Sequence, residues 1–207
     1  MKEIGIYIHI PFCKSKCNYC DFNSFAKKDD CIDNYINAVK QEIEEYAKNN
    51  KDILVKTIYI GGGTPSYIKE KYMEELIETI KQNLEIVSNA EITIEANPGT
   101  VNKRKLECYY KIGINRLSIG LQSVNDKLLK LLGRIHDFED FLETVRLANT
   151  VGFSNINADC MIGLPNQNIY DVEETLNVLI DLKLTHISVY SLIVEPNTTL
   201  ENKINSG

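Results

Sequence analysis

The chain has 207 residues and a formal net charge of −6, with 43% hydrophobic and 25% charged residues. These fractions are close to the averages of soluble globular domains, which excludes a disordered or fibrous chain. The acidic balance and the isoelectric point of about 5.2 argue against a protein that coats nucleic acid.

Apolar runs and amphipathic stretches alternate along the whole sequence. Runs of apolar residues predict strands, and apolar residues at helical spacing predict the helices between them. The predicted order is strand Ile4–Ile10, helix Cys31–Asn49, strand Leu54–Ile60, helix Lys69–Leu84, strand Glu91–Ala96, helix Asn102–Ile112, strand Arg116–Leu121, helices Asp126–Leu132 and Phe138–Val151, strand Asn155–Ile162, helix Val172–Leu182 and strand His186–Ile193.

This alternation predicts an α/β fold with a parallel sheet and right-handed crossovers. A full eight-unit barrel takes about 250 residues, so six units predict a partial TIM-type (β/α)6 barrel, with an open doubly wound sheet as the alternative. The stretch Glu195–Leu200 leads into a polar tail, so the last strand has no predicted helix to cover it. A parallel sheet needs both faces covered. We therefore expect residues 1–207 to be a core domain that lacks a C-terminal domain.

Half of the six cysteines lie within eight residues, as Cys13-x₃-Cys17-x₂-Cys20. Thiolates are the ligands of iron–sulfur clusters, and a cubane normally has four of them, so three leave one iron open for a small molecule. A zinc loop and a redox pair at Cys17 and Cys20 are the alternatives, although no second ligand pair follows and a redox pair leaves Cys13 without a role. The remaining cysteines fall in predicted helices or a strand, and we expect them to be buried free thiols: Cys31, Cys108 and Cys160.

Signals for export or membrane insertion are missing from the sequence. No apolar run approaches the roughly 18–20 residues of a membrane span. The first residues lead into a strand pattern rather than into the apolar core of a signal peptide. Cysteines without such a signal are typical of a reducing compartment. We therefore expect a cytoplasmic location.

The cysteine segment and its surroundings resemble the radical S-adenosylmethionine (SAM) superfamily, and more closely the group around oxygen-independent coproporphyrinogen III oxidase. The resemblance begins at Ile8-His9-Ile10-Pro11-Phe12-Cys13 and covers practically the whole chain. It continues through Gly61–Ser66, Ile94–Gly99, Arg116–Ser123, Asp159–Pro165 and Ser188–Leu192.

This resemblance implies a 4Fe-4S cluster on Cys13, Cys17 and Cys20, with SAM bound to the open iron through its methionine amino and carboxylate groups. The reduced cluster of such proteins passes one electron to the sulfonium and yields a 5′-deoxyadenosyl radical. A low-potential electron donor of the flavodoxin or ferredoxin kind is therefore an expected partner.

Several residues at predicted strand ends are suited to hold SAM. Glycines let the backbone approach a ligand closely, a carboxylate accepts strong hydrogen bonds from hydroxyls, and an arginine binds a carboxylate with two parallel bonds. A plain turn, a solvated charge, a surface arginine and aromatic packing are the alternatives. The resemblance places around SAM the residues Tyr7, Tyr19, Gly62, Gly63, Thr64, Glu95, Gln122, Arg134, Asp159 and Ile193.

Phe22 distinguishes two branches of the resembling group. The oxidase has a fourth cysteine at this position, whereas the heme chaperones related to it do not. The resemblance therefore implies a heme chaperone that binds heme in a full-length form and passes it to an accepting protein. The alternative is the oxidase, which decarboxylates the propionates of a porphyrinogen, and a zinc-binding module is third. The expected heme-ligating histidine falls on no residue of this chain.

Overall fold

A computed structural model of the chain describes residues 1–206. Its strands are β1 Lys2–Ile10, β2 Phe12–Cys13, β3 Phe25–Ala26, β4 Ile53–Gly62, β5 Glu85–Ala96, β6 Arg116–Gln122, β7 Asn155–Ile162 and β8 His186–Ser191. Its α-helices are α1 Ile32–Asn49, α2 Glu70–Asn83, α3 Lys103–Lys111, α4 Asp126–Leu132, α5 Phe138–Val151, α6 Ile169–Asp181 and α7 Thr199–Asn205.

The six long strands form one parallel sheet in the order β1-β4-β5-β6-β7-β8. This order follows the chain and never reverses. A doubly wound sheet reverses its strand order at a switch point, whereas a barrel adds each strand beside the one before it. The sheet is therefore a curled half-barrel, and the predicted partial TIM-type fold is confirmed.

The helices cover the convex face of this sheet with apolar side chains. In α2, for example, Met73, Leu76, Ile77 and Ile80 are fully buried. Side chains alternate between the two faces of a strand, and the other face of the central strands carries polar residues. Thus Glu95 of β5 is paired with Ser118 of β6. The concave face of the half-barrel is the polar side of the sheet.

Apart from the short strands β2 and β3, which were not predicted, and shifts of one to three residues at element ends, two differences from the predicted elements stand out. Strand β5 begins at Glu85 rather than at residue 91, because its first residues pair with the start of β4 before the register shifts. The predicted polar tail contains the short helix α7, whose Leu200 is buried. The Leu200 amide donates to the Asn18 carbonyl at 2.8 Å, which ties this helix to the cysteine-rich loop.

The three cysteines outside that loop have different environments. Cys160 is buried, Cys108 is half-buried and Cys31 is exposed. The prediction of a buried thiol is therefore wrong for Cys31, which lies in a 3-10 turn ahead of α1 instead of on the buried face of that helix. Burial raises the pKa of the Cys160 thiol to about 11. Within residues 1–206, no helix combines the length and apolar character needed to cross a membrane.

Candidate functional site

A cavity of about 270 Å³ opens at the carboxyl ends of the strands. In barrel enzymes this end of the sheet carries the functional site. The cavity is lined by every predicted site residue except Tyr7, together with Asn97, Ser118, Met161 and Tyr190. Residues spread from position 13 to position 193 are therefore brought into one place by the parallel order of the strands.

The loop that carries the three cysteines is held by backbone contacts on both sides. Strand β2 ends at Cys13 and pairs with β3, and the Phe25 amide donates to the Pro11 carbonyl at 2.7 Å. At the end of α4, the Asn18 backbone amide donates to the Leu132 carbonyl at 2.9 Å, and its side-chain amide donates to the Leu131 carbonyl at 2.8 Å. These contacts fix the loop so that its three thiols line the cavity.

The three thiols are free and differ in burial. Cys13 is buried, whereas Cys17 and Cys20 are half-buried. Burial raises the pKa of the Cys20 thiol. In the described part of the chain, no three cysteine, histidine or acidic side chains surround the position of a single metal ion. The ligands of a cubane cluster bind different irons and do not need to converge on one point.

The glycine segment after β4 passes directly against this loop. Gly62 has a φ of 114°, a left-handed conformation that favours glycine. The Gly63 amide donates to the Ile10 carbonyl at 2.8 Å, and the Thr64 amide donates to the Phe12 carbonyl at 2.9 Å. A Cβ on Gly63 would lie 3.0 Å from the Cys13 sulfur. Only glycine therefore lets the backbone come this close to the thiol.

Glu95 is held at the cavity wall by two donors. The Tyr59 hydroxyl donates to Glu95 Oε1 at 2.8 Å, and the Gly62 amide donates to Oε2 at 3.0 Å. Burial raises the pKa of the Glu95 carboxyl, and these two hydrogen bonds act against the rise. Two fixed bonds leave the remaining lone pairs of the carboxylate free to accept from a ligand.

Tyr7 lies beside the cavity rather than in it. Its ring is 58% exposed and stacks on Tyr59, with the ring centroids 6.0 Å apart. His9 lies between Tyr7 and the cysteine loop. Its Nε2 donates to the Asn23 carbonyl at 2.8 Å, so its Nδ1 accepts from the Tyr7 hydroxyl at 3.0 Å.

Two buried polar side chains at the cavity lack partners for part of their atoms. Among the described residues, Arg134 Nε and Gln122 Oε1 have no hydrogen-bond partner. Arg134 donates to the Gly120 carbonyl at 2.8 Å and to the Cys17 sulfur at 3.5 Å. A buried polar group without a partner costs about 1–3 kcal/mol. Such atoms at a cavity wall favour a ligand that completes their hydrogen bonding.

Asp159 lies on the concave face and lines the cavity. Its carboxylate accepts from the Asn157 amide at 2.8 Å and from the Ser118 hydroxyl at 3.5 Å. Ile193, the last predicted site residue, is 65% exposed at the rim. The polar lining therefore continues from the glycine segment across three further strands.

Comparison with known proteins agrees with this geometry. The sequence pattern of the Radical SAM superfamily matches residues 7–179. The chain belongs to this superfamily. Membership implies a 4Fe-4S cluster and SAM, and the residues present fit both, because three free thiols, an unpartnered arginine atom and a close glycine backbone line one cavity.

The radical SAM chain is also similar to particular proteins. It is 42% identical over 203 residues to the heme chaperones HemW of Bacillus subtilis (strain 168) and Escherichia coli (strain K12), covering 53% of each. The structure of the coproporphyrinogen III oxidase HemN from Escherichia coli matches 98% of this chain with a TM-score of 0.89 and 29% identity, covering 46% of that protein. The chain therefore spans about half the length of the curated relatives it matches.

Sequence reasoning missed several polar residues of the site, among them Tyr59, which donates to Glu95, and Asn97, which lines the cavity. Tyr59 occupies a strand position that alternation places on the same face as Gly61, and its cross-strand neighbour Tyr7 was a predicted site residue. The pairing of Tyr59 with Tyr7 could have identified Tyr59 as a site residue. Finding this pair requires the register of β1 against β4, which the sequence alone does not give. Asn97 belongs to the sequence Asn-Pro-Gly, which predicts a turn, so its side chain was not considered as part of the site.

Proposed function

We propose that this radical SAM chain binds a 4Fe-4S cluster through Cys13, Cys17 and Cys20, binds SAM in the adjoining cavity, and forms the core of a heme chaperone. The observation that supports the cofactor assignment is the shared cavity, in which three free thiols face the glycine segment and Glu95. When bound, the cluster supplies a low-potential electron to SAM. The residues of the chain supply position, hydrogen bonds and exclusion of water.

Each side of the cavity suits a different part of SAM. The backbone at Gly62 and Gly63 approaches the thiols without a Cβ and is suited to the methionine amino group. Glu95, with its spare lone pairs, is suited to the ribose hydroxyls. Arg134 is a buried cation that makes no ion pair within the described residues. Its charge suits the methionine carboxylate.

The remaining proposed SAM contacts come from the rim and the far wall. Tyr19 lies within the cysteine loop and Thr64 beside it. Gln122 ends β6 and carries an unpartnered oxygen, and Asp159 and Ile193 lie across the cavity. Burial raises the pKa of the Tyr19 hydroxyl, so this side chain stays neutral near neutral pH. Tyr7 reaches the cavity only through Tyr59 and His9, which makes its contribution to SAM binding indirect.

Phe22 and the similar relatives favour heme transfer over porphyrinogen oxidation. Phe22 stands where the oxidase has a fourth cysteine, and its ring is 61% exposed at the cavity. Two of the similar proteins are named heme chaperones. Because the chain covers about half of those proteins, heme, a heme-accepting protein and the electron donor are partners proposed for the longer protein.

Anaerobic reconstitution tests the cofactor part of the proposal. We expect iron and sulfide at about four of each per chain, and SAM binding that depends on the cluster. Alanine at Cys13, Cys17 or Cys20 should abolish both, whereas Cys31→Ala is the matched control, since this thiol is exposed and outside the cavity. A reconstituted chain that contains iron but no sulfide would overturn the assignment. An equal loss of iron, sulfide and SAM binding in Cys31→Ala would do so as well.

Heme titration tests the chaperone part. A saturable change in the Soret band, followed by transfer of the heme to an apo-protein acceptor, is the expected result for the longer protein. Conversion of coproporphyrinogen III to protoporphyrinogen with SAM cleavage would instead establish the oxidase. Zinc binding without iron and sulfide would establish the metal module.

A further inference from the structure

Asn97 connects two side chains that each reach a cysteine sulfur. Its side chain contacts the hydroxyl of Thr64 and the guanidinium of Arg134. The Thr64 hydroxyl lies 3.5 Å from the Cys13 sulfur, and Arg134 NH1 lies 3.5 Å from the Cys17 sulfur. A continuous chain of hydrogen bonds therefore runs from one thiol to the other along the wall of the cavity.

The chemistry of the groups sets the direction of every bond in this chain. Arginine only donates, so it must face the amide oxygen of Asn97, which turns the amide NH₂ toward Thr64. The Thr64 oxygen then accepts from Asn97 Nδ2 at 3.2 Å. Its own proton is left to point at the Cys13 sulfur. Both sulfurs thus receive a donor, and the Asn97 amide helps to orient both donors, with Arg134 also held by the Gly120 carbonyl at 2.8 Å.

The position of Asn97 is fixed independently of this side chain. Its backbone amide donates to Ser66 Oγ at 3.0 Å, and the Thr100 amide donates to its carbonyl at 3.1 Å. The Ser66 hydroxyl also bonds to the Thr100 hydroxyl at 2.6 Å. A substitution that removes only the side-chain amide therefore leaves these turn contacts in place.

Hydrogen bonds to the sulfurs of an iron–sulfur cluster are among the factors that set its reduction potential. Reduction adds negative charge to the cluster, and a donor at a ligand sulfur stabilises that charge. We propose that Asn97 is a positioning residue that raises the reduction potential of the cluster by aiming Thr64 at Cys13 and Arg134 at Cys17. This inference rests on the proposed function only in requiring that the cluster binds.

The test is the midpoint potential of the reconstituted chain, followed by spectroscopy in a redox titration. Asn97→Leu should shift the potential to more negative values, so that the ratio of reduced to oxidised cluster at a fixed potential falls about tenfold, or about 59 mV for a one-electron couple. Thr64→Val, which removes one donor without loss of volume, should shift it in the same direction. The double variant should shift it by less than the sum, because Asn97 acts partly through Thr64.

Asn115→Leu is the matched control. This asparagine also makes two side-chain hydrogen bonds, one from the Ile92 amide at 2.9 Å and one to the Ala90 carbonyl at 2.8 Å, at the opposite end of the sheet. It should lower stability without moving the potential. An unchanged potential in Asn97→Leu overturns the inference, and if that variant fails to assemble a cluster, the Thr64→Val result decides. A wild-type chain that assembles no cluster overturns the proposed function as well.

Discussion

Replacing Tyr59 by phenylalanine removes one of the two donors that hold Glu95, with little change in volume. The lost bond is the 2.8 Å contact between the Tyr59 hydroxyl and Glu95 Oε1, while the Gly62 amide still donates to Oε2 at 3.0 Å. If Glu95 binds the ribose of SAM, its carboxylate must be both ordered and ionised. The substitution weakens both conditions.

The size of the loss in SAM affinity depends on whether the Tyr59 bond is present in the free chain and in the SAM-bound chain. The Tyr59 bond exists with and without ligand, so its own energy largely cancels in the binding free energy. What remains is the cost of ordering a freed carboxylate when SAM binds, about 0.5–1.5 kcal/mol for one side chain. At about 1.4 kcal/mol per tenfold, SAM should bind roughly 2- to 12-fold more weakly.

The pH dependence of binding gives a second measure of the same change. The Tyr59 bond lowers the pKa of Glu95, against the larger effect of burial that raises it. Without this bond the pKa rises further. Binding that needs the ionised carboxylate falls as the pH drops through this pKa, so in Tyr59→Phe the fall begins at a higher pH than in the wild type.

Equilibrium binding of SAM to the reconstituted chain, measured across pH, checks both expectations. The matched control is Tyr72→Phe, which removes a tyrosine hydroxyl that donates to Asp33 Oδ1 at 2.7 Å outside the cavity. The control should lose stability while its SAM affinity stays at the wild-type value. Wild-type affinity and pH dependence in Tyr59→Phe, or an equal loss in Tyr72→Phe, would refute the reasoning.

Three further results are expected from the structure. Burial, and then the charge of Arg134, lower the pKa of His136 to about 3. The folded chain should therefore lose stability as the pH falls below about 6.5, by about 2 kcal/mol at pH 5. In denaturant unfolding, replacing His136 by leucine should remove this loss. Gly63→Ala places a methyl group 3.0 Å from the Cys13 sulfur and should cost about 1–3 kcal/mol with less iron bound per chain. In the cluster-free chain, an alkylating reagent followed by mass spectrometry should modify exposed Cys31 well before Cys160, whose pKa burial raises to about 11.

Each of these results has a control or a contrary outcome. For His136, the Asp137 carboxylate and the Leu121 backbone favour the charged form of the imidazole and oppose the lowered pKa. If the leucine variant still loses stability in acid, other groups cause that loss. For Gly63, the comparison is Gly163→Ala, whose methyl group has no neighbour within 4 Å and should change stability without changing iron content. Equal alkylation rates at the two cysteines would show that burial does not protect the second thiol.

Much of the fold was predictable because its signals are local. Apolar runs and helical spacing located the six long strands, and their strict alternation with helices predicted a parallel sheet. The signal failed where the local pattern was polar. The first residues of β5, from Glu85, and the helix Thr199–Asn205 are stabilised by pairing and docking partners elsewhere in the chain, which local patterns do not reveal.

Local patterns in the chain were enough to predict the order of the strands and helices, the cysteine spacing and the strand-end residues of the candidate site. Which of those residues meet depends on the folded arrangement. It placed Tyr7 beside the cavity, brought Tyr59 of β4 to Glu95 of the neighbouring β5, and set Asn97 between Thr64 and Arg134. The physical reason is that spacing along the chain encodes periodicity, whereas contacts between distant positions depend on the register of paired strands and the curvature of the sheet.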